Sequence, residues 1–127
     1  MIVVVDLGAL LRWVGLVKGT TPLADTVVAP DALLAEVIEF ARVRRDGRSG
    51  PMLADVAEVQ MAVQRWYPSY AMAAQLTQVA ARAAADLDVA LLSPIALAST
   101  LEIPFVTTNR DLAELAHDVV PSVTLLR

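Results

Sequence analysis

The amino-terminal stretch at residues 1–11, MIVVVDLGALL, decides the fold class of this chain. Ile2 to Val5 form a short run of β-branched residues without polar alternation, which is the pattern of a strand buried on both faces of a parallel sheet. The run ends at Asp6, and the apolar residues from Ala9 to Val17 recur with helical spacing. A buried strand followed at once by a helix predicts a βα unit and therefore an α/β fold.

The rest of the sequence continues this alternation of short strands and helices. We predict three more strands and four helices: strands at residues 26–29, 103–107 and 123–125, and helices at 30–45, 51–66, 70–85 and from 109 onward. One further helix, ending near Leu101, has two alternative starts. Either Asp88 is its N-cap or the Ser93-Pro94 pair begins it, because proline is tolerated at the first helical position. Four strands in this alternation imply a small parallel sheet wrapped by helices.

The composition limits the number of domains and the classes of chemistry. With 127 residues and 57% hydrophobic content, the chain is long enough for one well-filled core and too short for two ordinary domains. The absence of Cys removes disulfides, thiolate nucleophiles and cysteine metal sites. We expect a cytoplasmic protein without membrane association, because a secretory signal pattern is absent and no apolar stretch reaches the roughly 18 residues of a membrane span.

The charge distribution argues against a surface that attracts nucleic acid throughout. The formal net charge is -4, whereas nonspecific nucleic-acid affinity comes largely from Lys and Arg that neutralise phosphates. Most of the positive charge of the middle region belongs to Arg42, Arg44, Arg45 and Arg48. Their position favours a solvated helix end, where cations suit the helix dipole, and a local phosphate-binding patch is the alternative.

Three polar residues are candidates for chemistry, because they fall at strand ends or on a core-facing helix: Asp6, Glu36 and Asn109. Convergent oxygens of this kind can hold Mg²⁺ or Mn²⁺, and a water bound to the ion can attack a phosphodiester. Each residue also has a purely structural alternative. Asp6 and Asn109 can cap the helices that follow them, and Glu36 can be a partly solvated helix carboxylate.

Three segments of the sequence, taken in order, resemble one known family. They are MIVVVDLGALL with Asp6, VVAPDALLAEVIEFARVRR with Glu36, and ALASTLEIPFVTTNRDLAELA with Asn109. Together they resemble the PIN domains, and especially the small VapC-type toxin ribonucleases, over nearly the whole chain. The resemblance implies a single PIN-like domain over residues 1–127, folded as a three-layer α/β/α sandwich with a short central parallel sheet.

The same resemblance implies a function and a set of site residues. It implies the toxin of a toxin-antitoxin system, which cleaves RNA with Mg²⁺ or Mn²⁺, has an antitoxin-like partner and forms a homodimer. By position, Asp6 and Glu36 match the first two acidic ligands of the family. Asn109 stands at the fourth position, where it can orient a water or contact the metal.

The sequence also departs from the family pattern in the middle of this set. The third acid is expected at position 91, where the chain has Leu91, and an apolar side chain cannot ligate a hard cation. Asp88, one helical turn earlier, is the candidate replacement as a metal ligand, with an N-cap as its alternative role. The family favours a Thr or Ser pair after the first acid, whereas this chain has Leu7 and Gly8, so a supporting hydroxyl is missing.

Two functional hypotheses follow from the sequence. In the first, the protein is a weak or degenerate metal-dependent endoribonuclease with Asp6, Glu36 and Asn109 as its catalytic residues. Two carboxylates alone predict metal binding in the millimolar range at best. In the second, the protein is a non-catalytic interaction module that keeps the fold for dimerisation or for an antitoxin-like partner. The high apolar content favours the second hypothesis, since exposed apolar patches commonly mark interfaces.

Overall fold

The computed structural model describes residues 1–44 and 49–127, without the side chains of residues 49–52. Its centre is one parallel sheet of five short strands in the spatial order β3-β2-β1-β4-β5. The strands are Ile2–Val5 (β1), Thr26–Pro30 (β2), Arg65–Tyr67 (β3), Phe105–Thr107 (β4) and Val123–Leu125 (β5).

Helices cover both faces of this sheet. They are Leu7–Trp13 (α1), Ala32–Arg44 (α2), Ser49–Ala62 (α3), Ala73–Arg82 (α4), Ser93–Leu101 (α5) and Arg110–Ala116 (α6). Two 3₁₀ turns, Ser69–Met72 and Val89–Leu92, precede α4 and α5. The predicted three-layer α/β/α sandwich with a central parallel sheet is therefore confirmed.

Two hydrophobic cores form because successive side chains of a strand point to opposite faces of the sheet. Val4 and Phe105 are fully buried against α4, α5 and α6. Val3 and Val5 are buried on the other face, against α1, α2 and α3. The predicted burial of this run on both faces of the sheet holds for Val3, Val4 and Val5, whereas Ile2 at the start of the strand is exposed.

The structure corrects the prediction of four strands, because β3 is a fifth. The helix predicted to reach Trp66 ends at Ala62, and the chain then turns to pair with β2. The Gln64 amide donates to the Val27 carbonyl at 2.9 Å, and Val28 lies opposite Arg65 in the parallel register. These hydrogen bonds to a distant strand outweigh the local helical pattern.

The start of α2 also differs from its predicted position. Pro30 was expected to begin this helix but is the last residue of β2, opposite Tyr67 in the register. The Asp31 amide donates to the Tyr67 carbonyl at 2.8 Å, which keeps the backbone extended past Pro30. The helix begins only at Ala32.

Both alternative starts near α5 are used. Asp88 caps the 3₁₀ turn Val89–Leu92, and α5 itself begins at Ser93 with Pro94 in its first turn. The chain thus makes a short turn first and then a helix. Proline is accommodated because it lies where no intrahelical N–H bond is needed.

The described arginines at the end of α2 fit a helix terminus. Arg42 forms an ion pair with Glu39, and Arg44 donates to the Leu16 carbonyl at 2.9 Å. The predicted helix end at residues 45–48, with Arg45 and Arg48, lies outside the described residues. Within the described part of the chain, no helix is both long and apolar enough to cross a membrane.

Candidate functional site

Asp6 is buried at the junction of β1 and α1, where it caps the helix. Its Oδ1 accepts a hydrogen bond from the Ala9 amide at 2.9 Å. Its Oδ2 accepts from the Thr107 hydroxyl and, at 3.4 Å, from the Thr108 amide. Burial raises the pKa of Asp6 above its usual value, although these hydrogen bonds act in the opposite direction. The predicted structural role as an N-cap is therefore real, and it holds the carboxylate in one orientation.

Glu36 lies on α2 and is half-buried, whereas Glu39 on the same helix is exposed. Burial raises the pKa of Glu36 to about 7, with further contributions from the negative charges of Asp6 and Asp88. Among the described residues, no hydrogen bond or ion pair reaches the Glu36 carboxylate. Its half-burial agrees with the predicted position on a core-facing helix and also with the alternative of a partly solvated helix carboxylate.

Asn109 caps α6 through its side-chain oxygen. Asn109 Oδ1 accepts hydrogen bonds from the amides of Asp111 at 2.9 Å and Leu112 at 3.2 Å. The backbone amide of Asn109 in turn donates to the Thr107 hydroxyl at 3.0 Å. The oxygen that was expected to contact a metal is thus engaged by the helix N-terminus.

Asp88 has the N-cap role that the sequence offered as an alternative to metal binding. Its Oδ1 accepts from the Ala90 amide at 3.0 Å in the 3₁₀ turn before α5. It is close enough to Glu36 for its charge to raise the pKa of that residue. Asp88 is not among the residues that line the pocket described next.

A small pocket brings Asp6, Glu36 and Asn109 together, although they are distant in the sequence. Its volume is about 190 Å³. It opens beyond the carboxyl ends of β1 and β4, the edge where parallel sheets usually bind ligands. The residues that line it are Asp6, Leu7, Gly8, Glu36, Leu91, Pro94, Thr108, Asn109 and Leu112.

The donor set of this pocket fits one weakly held divalent cation. Asp6 and Glu36 offer two carboxylates, the ligand type that Mg²⁺ and Mn²⁺ prefer, and waters would complete the coordination. Within residues 1–44 and 49–127, no three His, Cys, Asp or Glu side chains are grouped so that they could hold a metal. Of the predicted four-residue set, Asp6, Glu36 and Asn109 line this pocket and Asp88 does not, and Asn109 Oδ1 accepts backbone N–H groups of the α6 N-terminus.

Two threonines beside this pocket belong to the third sequence motif, but no role for either was predicted from the sequence. Thr107 is fully buried at the end of β4 and donates its hydroxyl to Asp6. Thr108 lines the pocket and donates its amide to the same carboxylate. The signal that could have revealed them is a Thr pair at a strand end, directly before a predicted cap.

Comparison with known proteins supports the fold alone. No protein-family model matches the sequence, and no curated protein matches it. The crystal structure of FitAcB from Neisseria gonorrhoeae is similar, with a TM-score of 0.69 and 16% sequence identity. The similarity covers 96% of this chain and 96% of the FitAcB chain. The α/β/α architecture is thus shared over nearly the full length of both chains.

Proposed function

We propose that this chain is a PIN-like protein of the VapC type, a metal-dependent endoribonuclease of low activity that acts as the toxin of a toxin-antitoxin system. One observation carries the proposal. Asp6 and Glu36 line one pocket at the carboxyl edge of the sheet, and the Asp6 charge helps to raise the pKa of Glu36 to about 7. Two like charges in a partly buried pocket repel each other, and a divalent cation removes that repulsion.

The residues of the pocket have distinct tasks in this mechanism. Bound Mg²⁺ or Mn²⁺ would supply an activated water and offset the charge of the phosphodiester. Asp6 and Glu36 would hold the ion, and Thr107 together with the Ala9 amide keeps the Asp6 carboxylate oriented. Glu36 must lose its proton to bind a metal, so activity should rise as the pH passes about 7. Asn109 lies at the pocket wall, where its side-chain amide can orient a water.

Cleavage of a structured RNA in Mn²⁺ at a pH above 7 tests this proposal. Asp6→Asn and Glu36→Gln should each reduce cleavage at least tenfold, since the loss of even an outer-shell partner of a metal ligand typically costs about 10–100-fold in metal affinity or activity. Two exposed acids serve as matched controls, because Asp118→Asn and Glu58→Gln make the same chemical changes away from the pocket. Equal cleavage by the wild type and Asp6→Asn, with both proteins folded, would remove the mechanism.

A second candidate function is a non-catalytic interaction module with the same fold. It is favoured by Leu91, which lines the pocket where the third acid was expected. It is also favoured by a larger and mostly apolar cavity of about 440 Å³, lined among others by Met1, Leu23 and Pro104. Calorimetric titration with Mn²⁺ separates the two functions. Binding that disappears in Glu36→Gln supports the enzyme, and an absence of binding to the wild type supports the module.

We also propose that the chain forms a homodimer, binds an antitoxin-like partner and is cytoplasmic. Exposed apolar side chains on α3 support an interface, since Leu53 is 69% exposed and Met61 is 86% exposed. They lie two turns apart on the same side of the helix, with Ala57 between them. Light scattering after size exclusion should give a dimer mass for the wild type and a monomer mass for Leu53→Asp combined with Met61→Asp. A monomeric wild type would exclude the homodimer.

A further inference from the structure

Gly8 has no room for a side chain, because Thr108 fills the space that one would occupy. A Cβ atom built on Gly8 would lie 1.9 Å from Thr108 Oγ1, 3.0 Å from its Cβ and 3.1 Å from its Cγ2. No rotation of a larger residue at position 8 avoids this overlap, since the Cβ atom itself is involved. The hydroxyl of Thr108 therefore lies where the side chain of residue 8 would begin, and both residues line the acidic pocket.

The backbone around Thr108 is held against the end of β1. The Thr108 amide donates to Asp6 Oδ2 at 3.4 Å, and the neighbouring Thr107 hydroxyl donates to the same oxygen. The Asn109 amide donates to the Thr107 hydroxyl at 3.0 Å. Thr108 is thus fixed on both sides by contacts that do not use its own hydroxyl.

The Thr108 hydroxyl has no hydrogen-bond partner in the part of the chain that the structure describes, so it can bind a ligand. Across the described residues, Thr107 Oγ1 hydrogen-bonds within the site, whereas no hydrogen bond to Thr108 Oγ1 is present. Thr108 is half-buried, so its hydroxyl stands at the pocket wall rather than in bulk solvent. A hydroxyl in this position can donate to an oxygen and accept from a water at the same time.

We propose that Thr108 is a positioning residue of the metal site, whose hydroxyl hydrogen-bonds a water bound beside Asp6. This inference rests on the proposed function and deepens it, because it names the source of a polar contact that the sequence did not reveal. The expected loss of a supporting hydroxyl at Gly8 is then offset, since Thr108 places a hydroxyl 1.9 Å from the position that the Cβ atom of residue 8 would occupy.

Isosteric substitution separates this role from packing. Thr108→Val keeps the shape of the side chain and removes the hydroxyl, whereas Thr108→Ser keeps the hydroxyl and removes a methyl group. We expect Thr108→Val to weaken Mn²⁺ binding about fivefold, the equivalent of one hydrogen bond, and Thr108→Ser to stay within about twofold of the wild type. Electron paramagnetic resonance of free Mn²⁺ measures both affinities without RNA, and thermal melting shows that both variants fold.

A transfer of the hydroxyl gives a stricter test. Gly8→Ser alone should weaken Mn²⁺ binding or lower the melting temperature, because its Cβ overlaps Thr108. Combining Gly8→Ser with Thr108→Gly removes the overlap and restores a hydroxyl from position 8, so affinity should return to within about twofold of the wild type. Thr108→Gly alone is the matched control, and it should remain weak.

The outcomes distinguish this inference from the function on which it rests. Mn²⁺ binding that is lost in Glu36→Gln but unchanged in Thr108→Val would overturn the role of Thr108 and leave the enzyme proposal standing. No Mn²⁺ binding to the wild type would overturn both. Weakening in Thr108→Val, together with recovery in the double variant, supports the inference.

Discussion

At the scale of single residues, the site is set by a buried carboxylate facing a half-buried one. The three hydrogen bonds to Asp6 favour its charged form, yet burial still raises its pKa. Glu36 has no such hydrogen-bond partners among the described residues. Burial raises its pKa, and the negative charges of Asp6 and Asp88 raise it further. Glu36 is therefore the residue whose protonation should respond most clearly to pH and to a bound cation.

The raised pKa of Glu36 predicts a pH-dependent stability. The pKa is about 7 in the folded state against a reference value of 4.5, so the folded state holds the proton more tightly. The tighter proton binding by Glu36 in the folded state adds to the free energy of unfolding. This contribution is complete below about pH 4.5 and is lost as the pH rises through 7. Glu36→Gln avoids this loss. From about pH 5 to pH 8, the free energy of unfolding of the wild type should fall by about 1 kcal/mol relative to the variant, a value reduced for solvent screening of a half-exposed group.

Urea unfolding at the two pH values measures this difference. Glu58→Gln is the control, because it makes the same substitution at an exposed position on α3, away from the pocket. A Glu36→Gln variant that loses stability as steeply as the wild type would contradict the electrostatic account. Mn²⁺ should reduce the difference, since a bound cation favours the charged carboxylate.

At the scale of secondary-structure elements, the sequence predicts the parts that local chemistry controls. The β-branched run before Asp6 is sufficient to identify β1, and Asn109 before Arg110 is sufficient to identify the start of α6. Strand β3 lacks such a signal, because Arg65, Trp66 and Tyr67 form a strand only through their pairing with β2. Long-range hydrogen bonds of this kind cannot be read from a local pattern.

The N-cap of α6 makes Asn109 a residue with a measurable structural role. Asn109→Ala removes two hydrogen bonds to the helix N-terminus and should lower the free energy of unfolding by about 1 kcal/mol. Asn109→Asp should retain the stability, because Asp caps as well as Asn, and should also strengthen Mn²⁺ binding by adding a negative charge. Thermal melting and Mn²⁺ titration measure the two effects. Equal stability of Asn109→Ala and the wild type would show that the cap contributes nothing.

Leu91, at the position where a third acid was expected, lies in the 3₁₀ turn before α5. Leu91 lines the pocket from this turn, so Leu91→Asp should place a third carboxylate next to Glu36 and strengthen Mn²⁺ binding by on the order of tenfold. Val89→Asp is the matched control, because it adds the same charge on the same turn at an exposed position outside the pocket. Equal Mn²⁺ affinities of the two variants would mean that Leu91 does not face the metal site.

At the scale of the whole molecule, strand order accounts for the part of the site that the sequence did not reveal. The sequence predicts parallel strands but does not specify their order, and the order places β1 beside β4. This register puts Val5 opposite Val106, so Asp6 meets Thr107 one residue further along both strands. The close approach of Gly8 and Thr108 depends on the same pairing of β1 with β4. The location of the acidic residues follows from the general rule for sheet edges, whereas their partners follow from a register that only tertiary structure provides.

The overall charge predicts how RNA would bind. With a net charge of -4 and an acidic pocket, the protein should repel RNA phosphates unless a cation lies between them. In EDTA we expect no saturable binding below about 100 µM RNA, the weak end of the usual nonspecific range. In Mn²⁺, fluorescence anisotropy should report binding to the wild type and little binding to Glu36→Gln. Glu58→Gln should bind as the wild type does. Equal binding in EDTA and in Mn²⁺ would instead locate the RNA on a surface that does not involve the pocket, and the link between the acidic residues and RNA would fail.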